Sequence, residues 1–275
     1  MRALLRKRWF WRLAVLAVFL LWLGYALGPA KRLRVNRVQV RLAHLPAALD
    51  GLTIAVISDT HLSRWVSERQ IQHAVELANA AHPDVVVLVG DYISGSRKRI
   101  APCARILSGL RARYGVYAVL GNHDYWIDAP AMTNALQAGG IRMLVNGNAA
   151  LRIKGETIYL AGVGDLWTVA ASWVDAYRGI PKGACVVLLS HNPDVIYDRM
   201  SRRADLVISG HTHGGQVAVL GPLDSPCEYG RRHPAGLFRE GQTRIFITTG
   251  VGVIFPPVRT FCPPEVAVLQ VTGDR

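Results

Sequence analysis

At 275 residues, the chain is long enough for one large domain or two small ones. Its 51% apolar and 19% charged residues, with a mean hydropathy of +0.20, exclude a disordered chain. The 26 Gly and 14 Pro are scattered without a short period, which excludes a collagen-like or solenoid architecture. The net charge of +13 is unevenly placed. Residues 1–41 hold ten basic residues and no acid, leaving 22 basic against 19 acidic residues over 42–275, so no nucleic-acid partner is expected.

Residues 13–30 are uncharged and rich in Leu, Ala and Val, and Trp9, Phe10 and Trp11 stand at one edge. At a helical rise of ~1.5 Å per residue the stretch would reach about 27 Å, which predicts a single-pass membrane anchor over residues 1–30. The competing reading is a cleaved signal peptide, but no clear A-x-A site is present, and Trp22 and Tyr25 fall where small residues are preferred. Five basic residues precede the segment and five follow it, so the side of the membrane stays open. Residues 31–50 read as a basic linker and lead-in. Cys103, Cys185, Cys227 and Cys262 are widely spaced, so a thiolate zinc site is not expected, while a disulfide stays open; Cys185 heads an apolar run and reads as a core residue.

From residue 51 onward strand and helix alternate in what reads as one domain. The expected elements are a strand over 52–58, a helix over 67–81 capped by Ser67, and a strand over 85–89. A helix over 100–110, a strand over 116–120 and a helix over 129–138 follow. This order predicts a parallel sheet covered by helices. The second half is richer in strand (149–153, 157–161, 186–190, 206–209, 244–249 and 265–271), with one helix near 194–200. Two packed sheets with helices outside accommodate the count.

Polar residues collect where these strands end: Asp59-Thr60-His61, Gly90-Asp91, Gly121-Asn122-His123-Asp124, His191-Asn192 and Gly210-His211-Thr212-His213. Ligands bind at the carboxyl edge of open α/β sheets. Five of the nine histidines fall there, whereas His44, His73, His82 and His233 have no such setting and read as surface or loop residues. Carboxylate, imidazole and amide donors without thiolate suit Zn, Mn or Fe. Asp59 and His61, two residues apart, would point to one side of an extended chain, and Asp91 has two oxygens with which to bridge two ions.

Taken in order, these five blocks resemble the signature of the calcineurin-like metallophosphoesterases over residues 52–216. The flanking text, residues 161–165, 214–216 and 257–265, is similar to a bacterial branch with an N-terminal membrane helix. The resemblance implies an α/β fold, a four-layer α/β/β/α double-sheet sandwich, with residues 51–275 as the catalytic domain. It implies two divalent ions, the first held by Asp59, His61 and His213, the second by Asn122, His191 and His211, with Asp91 bridging. His123 would be catalytic, oriented by Asp124, and the reaction would be in-line attack by a hydroxide that the ion pair supplies. Substrates would be phosphodiesters or pyrophosphates at the bacterial inner membrane. The branch analogy adds the pyrophosphate of UDP-2,3-diacylglucosamine, in lipid A-type synthesis, as the sharper version. A membrane-tethered metal-binding scaffold without turnover is the reading from another class. Trp167 and Trp173 are candidates for an apolar entrance, against packing in the core or loop. Arg259 is a candidate phosphate contact, against an ordinary exposed arginine.

Overall fold

The computed structural model describes residues 2–27, 32–168, 171–217 and 225–274. After a leading helix, α1 (Arg2–Leu27), the chain forms a mixed α/β fold of two six-stranded sheets. The first sheet runs in the order β1 (Arg34–Leu42), β12 (Glu265–Gly273), β2 (Leu52–Ile57), β3 (Val85–Val89), β4 (Val116–Val119) and β5 (Arg142–Met143). The second runs β10 (Gly236–Glu240), β11 (Thr243–Ile247), β9 (Leu206–Ser209), β8 (Val186–Leu189), β7 (Glu156–Gly162) and β6 (Gly147–Ile153). β2, β3 and β4 are mutually parallel, and so are β7, β8 and β9, so the carboxyl ends of each group lie along one edge.

The alternation of a strand explains how one short apolar run serves two cores. In β2, Ile54 and Val56 face the second sheet, where they meet Leu206, Ile208 and Phe246. Ala55 and Ile57 face the other way, onto Ile71 and Val75 of α2 (Glu68–Ala80) and Leu107 of α3 (Ile100–Leu107). A third cluster lies on the outer face of the second sheet, where Leu188 and Val207 pack with Ala176, Val195 and Tyr229. α2 begins where Ser67 Oγ accepts the Gln70 N–H at 3.3 Å, and it is followed by Pro83.

Several expectations are corrected. No helix among the described residues is long and apolar enough to cross a membrane, so the single-pass anchor and the inner-membrane localisation are overturned. The first half of α1 carries Arg2, Arg6, Lys7, Arg8 and Arg12, so charge rather than apolar surface occupies much of the described helix. The remainder of the expected span, residues 28–30, lies outside the described residues. Within the stretch expected as linker and lead-in, β1 pairs in parallel with β12.

α4 (Asn122–Ala138) starts seven residues before the expected helix. Asp128 interrupts it with an extended conformation, φ −172°, and its Oδ1 accepts the Ala131 N–H at 2.9 Å. The second segment therefore has its own cap, which is why the sequence pattern starts at residue 129. The helix expected near 194–200 is instead two 3₁₀ turns, Pro193–Tyr197 and Arg199–Arg203, because Asp198 is extended and caps the second through the Met200 N–H. All four cysteines are buried free thiols, and Cys185 is in the core between the sheets.

The Ser67 cap yields a direct test: Ser67→Ala should lower stability by about 1 kcal/mol. Its urea midpoint should fall with no change in slope.

Candidate metal centre

The carboxyl edges of the two sheets meet, and hydrogen bonds between side chains and backbone stitch them. His191, beyond β8, points its Nδ1 at the Val89 carbonyl of β3 at 2.7 Å. The His211 N–H, beyond β9, donates to the Asp59 carboxylate beyond β2 at 3.1 Å and 3.2 Å. Asp59 and His61 donate their own N–H groups to the Gly90 and Asp91 carbonyls, both at 3.0 Å. Such close approach needs glycine at the crossing points. A methyl group at Gly121 would strike the Asp91 carboxylate, and one at Gly210 would strike Ser58 and Asp59.

Six of the candidate ligands come together here, all of them buried. Asp59, His61 and His213 form one group, and Asp91, His191 and His211 another; within each, donor atoms lie within 4.8 Å of one another. In the first, His61 Nε2 is 3.0 Å from His213 Nε2 and 3.8 Å from Asp59 Oδ1, and His213 Nε2 is 3.4 Å from the same oxygen. In the second, His211 Nδ1 is 3.1 Å from His191 Nε2. Asp91 Oδ2 lies 3.5 Å from His61 Nε2 and 3.2 Å from His191 Nε2, so one oxygen reaches both groups. Asn122, at the first turn of α4, is buried, with its Oδ1 unpartnered among the described residues. Asp59 and His61 do converge, but not along an extended chain. Both have left-handed backbone, φ 52° and 42°, as do Asp91, His211 and His213.

The donor set fits divalent cations. Burial pushes His61 down to about 3 and His211 to about 3, and it drives His213 well below the usual imidazole range, so three rings offer lone pairs. Burial also works against charge on Asp91, yet His191 outweighs it and keeps that carboxyl below its ordinary range. Burial raises Asp59 to about 6. The His191 Nδ1 contact with a carbonyl leaves Nε2 aimed at the cluster, the usual way that a ligating imidazole is oriented. The unpartnered Asn122 Oδ1 and His211 Nε2 are buried polar atoms that a protein-only account leaves unexplained.

His123 is half-buried at the rim, its ring 4.8 Å from that of His61. The Asp124 carboxylate makes no hydrogen bond to the His123 ring among those described. It is buried and accepts the N–H groups of Asp91, Tyr92 and Gly121 at 2.9, 2.9 and 3.0 Å, clamping the turn that carries Asp91. His123 is held instead by Ser94, whose Oγ is 3.3 Å from its Nδ1 and 2.7 Å from His61 Nδ1, and by its own N–H donating to Asp91 Oδ1 at 2.9 Å. Sequence reading missed Ser94, which sits three residues beyond Asp91 in a loop without periodicity.

Arg259 answers to neither sequence reading. It is fully buried and donates to the carbonyls of His213, Thr249, Gly250, Gly252 and Cys262, so it braces the loop behind His213 rather than reaching substrate. The two tryptophans part company. Trp167 sits edge-on to His211 at 4.4 Å and stacks with Trp126 at 6.5 Å, and Trp126 in turn lies 4.9 Å from His123. Trp173 stacks on Tyr177 and donates to Asp198 at 2.7 Å, against the outer face of the second sheet.

The calcineurin-like phosphoesterase family matches residues 52–215, and the chain belongs to it. A transmembrane protein with a metallophosphoesterase domain from Danio rerio is 32% identical over 92% of this chain, which spans 59% of that protein's length. The phosphodiesterase YaeI of Escherichia coli is 30% identical over 85% of this chain and 87% of its own. The uncharacterized metallophosphoesterase YkuE of Bacillus subtilis is 28% identical over 92% of each chain. Among solved structures, the 5′-nucleotidase precursor of Thermus thermophilus shares the fold, with a TM-score of 0.50 over 80% of this chain and 54% of that one, at 15% identity. The protein is thus a metal-dependent phosphoesterase, with Asp and His clusters able to hold metal.

Arg259 provides the test of this scaffold. Arg259→Met leaves the Thr249, Gly252 and Cys262 carbonyls without that donor, while those of His213 and Gly250 keep backbone N–H groups, so thermal unfolding should report a loss of about 3 kcal/mol or more.

Proposed function

We infer that the chain hydrolyses phosphodiester or pyrophosphate linkages with two divalent ions, of which Mn, Zn and Fe suit the donors. In this reading Asp59, His61 and His213 hold one ion, Asn122, His191 and His211 hold the other, and Asp91 bridges. The observation that carries it is the single oxygen of Asp91 within 3.5 Å of His61 and 3.2 Å of His191. When bound, the ions supply Lewis acidity toward a phosphoryl oxygen and lower the pKa of water to supply the nucleophile.

The chain's own groups do the rest. Asp91 Oδ1, holding the His123 N–H, fixes that residue's backbone against the bridging position. Ser94 faces His123 Nδ1, which leaves Nε2 to give a proton to the departing oxygen as the phosphorus–oxygen bond breaks. Trp126 and Trp167 set an aromatic wall beside His123 and His211.

Two arms of a diester are accommodated better than one. His123 has Trp126 on one side and a cavity of about 350 Å³ on the other. The name of the Escherichia coli relative, a phosphodiesterase, points the same way. The reading centres on diester and pyrophosphate chemistry, because the lipid-linked sugar nucleotide rested on analogy with a branch that carries an N-terminal membrane helix, and no helix among the described residues is long and apolar enough to cross a membrane.

Activity of the Mn²⁺-loaded full chain should be faster on bis-p-nitrophenyl phosphate than on p-nitrophenyl phosphate; the reverse order would overturn the diester reading. His123→Ala should lose about 10²–10⁴-fold in kcat while keeping its metal. Asp91→Ala should lose metal by elemental analysis, and full occupancy in that variant would refute the bridge.

A further inference from the structure

The cavity beside His123 is lined by Arg64, Trp65, Ser94, Arg99, Ile254 and Phe255, among others. The metal cluster and the aromatic rim account for none of its charge. Two guanidinium groups border it, and no carboxylate does. Among the described residues, neither Arg64 nor Arg99 forms an ion pair with an acid. Both are nevertheless held. Arg99 Nη1 donates to the Ser94 carbonyl at 3.0 Å, and the Arg64 guanidinium lies over the Trp65 ring at 4.5 Å. A guanidinium stacked on an aromatic face keeps its N–H edge available, and that edge matches the oxygens of a phosphate.

Position supplies the second half. Ser94, which holds both His61 and His123, and His123 itself belong to the same wall. A leaving group that takes its proton from His123 therefore has this cavity beside it. Negative charge develops on that arm as the bond breaks, and two fixed cations there stabilise it. Phe255, 75% exposed, and Trp65, 44% exposed, give the same cavity apolar lining, as suits the body of a nucleoside or sugar.

We propose that this cavity is a second anion subsite, in which Arg64 and Arg99 bind a phosphate carried by the leaving group. The proposal rests on the phosphodiesterase reading and narrows its substrate class to pyrophosphates and diesters whose leaving arm is itself anionic, such as a phosphosugar or nucleotide.

The test compares UDP-glucose, whose leaving group is a phosphate ester, with bis-p-nitrophenyl phosphate, whose leaving group carries no second phosphate. In the Mn²⁺-loaded full chain, Arg64→Gln and Arg99→Gln should each lower the ratio of kcat/KM for UDP-glucose to that for bis-p-nitrophenyl phosphate by roughly 10-fold. An unchanged ratio overturns the subsite. A second arm measures UDP-glucose binding by calorimetry in the His123→Ala background. There Arg64→Gln should weaken affinity by roughly 10-fold, and equal affinity with and without Arg64 refutes the proposal. Absence of turnover on both substrates by the parent protein would instead count against the phosphodiesterase reading, and the binding arm would still decide the subsite.

Discussion

Asp91 is the group on which the site depends. A buried carboxylate is stable only with compensating positive charge, and here the neighbouring groups include a second and a third buried carboxylate, Asp59 and Asp124. Asp124 is neutralised in part by three backbone N–H donors. Asp91 spends one oxygen on the His123 backbone and turns the other toward His61 and His191. Burial drives three imidazoles neutral, while Asp91 and Asp59 hold His191 protonated against burial, so one imidazolium faces both carboxylates of the cluster. A divalent metal is the group that resolves the imbalance, which is why the centre reads as a metal site from its electrostatics as well as from its ligands.

The geometry that brings these groups together is strained and over-determined. Five of the seven candidate ligands, Asp59, His61, Asp91, His211 and His213, have positive φ, a conformation that is uncommon for residues other than glycine. Strain of this kind persists at functional sites when the surroundings impose it. Here the surroundings are the ladder of N–H donations from Asp59 and His61 into the β3 turn, and Arg259 gripping five carbonyls behind His213. The glycines at 90, 121 and 210 remove the side chains that would keep the turns apart.

Much of this is legible in the amino-acid sequence. The buried strands at 85–89 and 206–209 coincide with their apolar runs, because a short run with no polar interruption and a clear stop has few alternatives. The convergence of Asp59, His61, Asp91, His191, His211 and His213 was visible as polar residues at successive strand ends. What the pattern could not carry were contacts made by residues without periodicity. Ser94 lies in an irregular loop, and Arg259 is charged, so its complete burial contradicts the rule by which charged residues are assigned to the surface. The same reasoning fails in the opposite sense at the N-terminus, where an uncharged run reads as a span although five basic residues occupy the first half of the helix that holds it.

The pairing of β1 with β12 has a consequence for how the protein is made. β12 lies between β1 and β2 in the first sheet, and Asn36 on β1 bonds Glu265 on β12, 229 residues later. The same Glu265 accepts from Thr248 Oγ1 at 3.0 Å and from the Thr249 N–H at 3.2 Å, at the loop that backs Asp59. A nascent chain emerging from the ribosome can therefore assemble β2, β3, β4 and their helices early. The centre of the first sheet, and the loop behind the first ligand, must wait for β12, which follows every other described strand in the chain. Until then the edge of β2 stands unpaired, so biogenesis of this fold includes an interval in which a hydrophobic strand edge is open to chaperones or to a neighbouring chain.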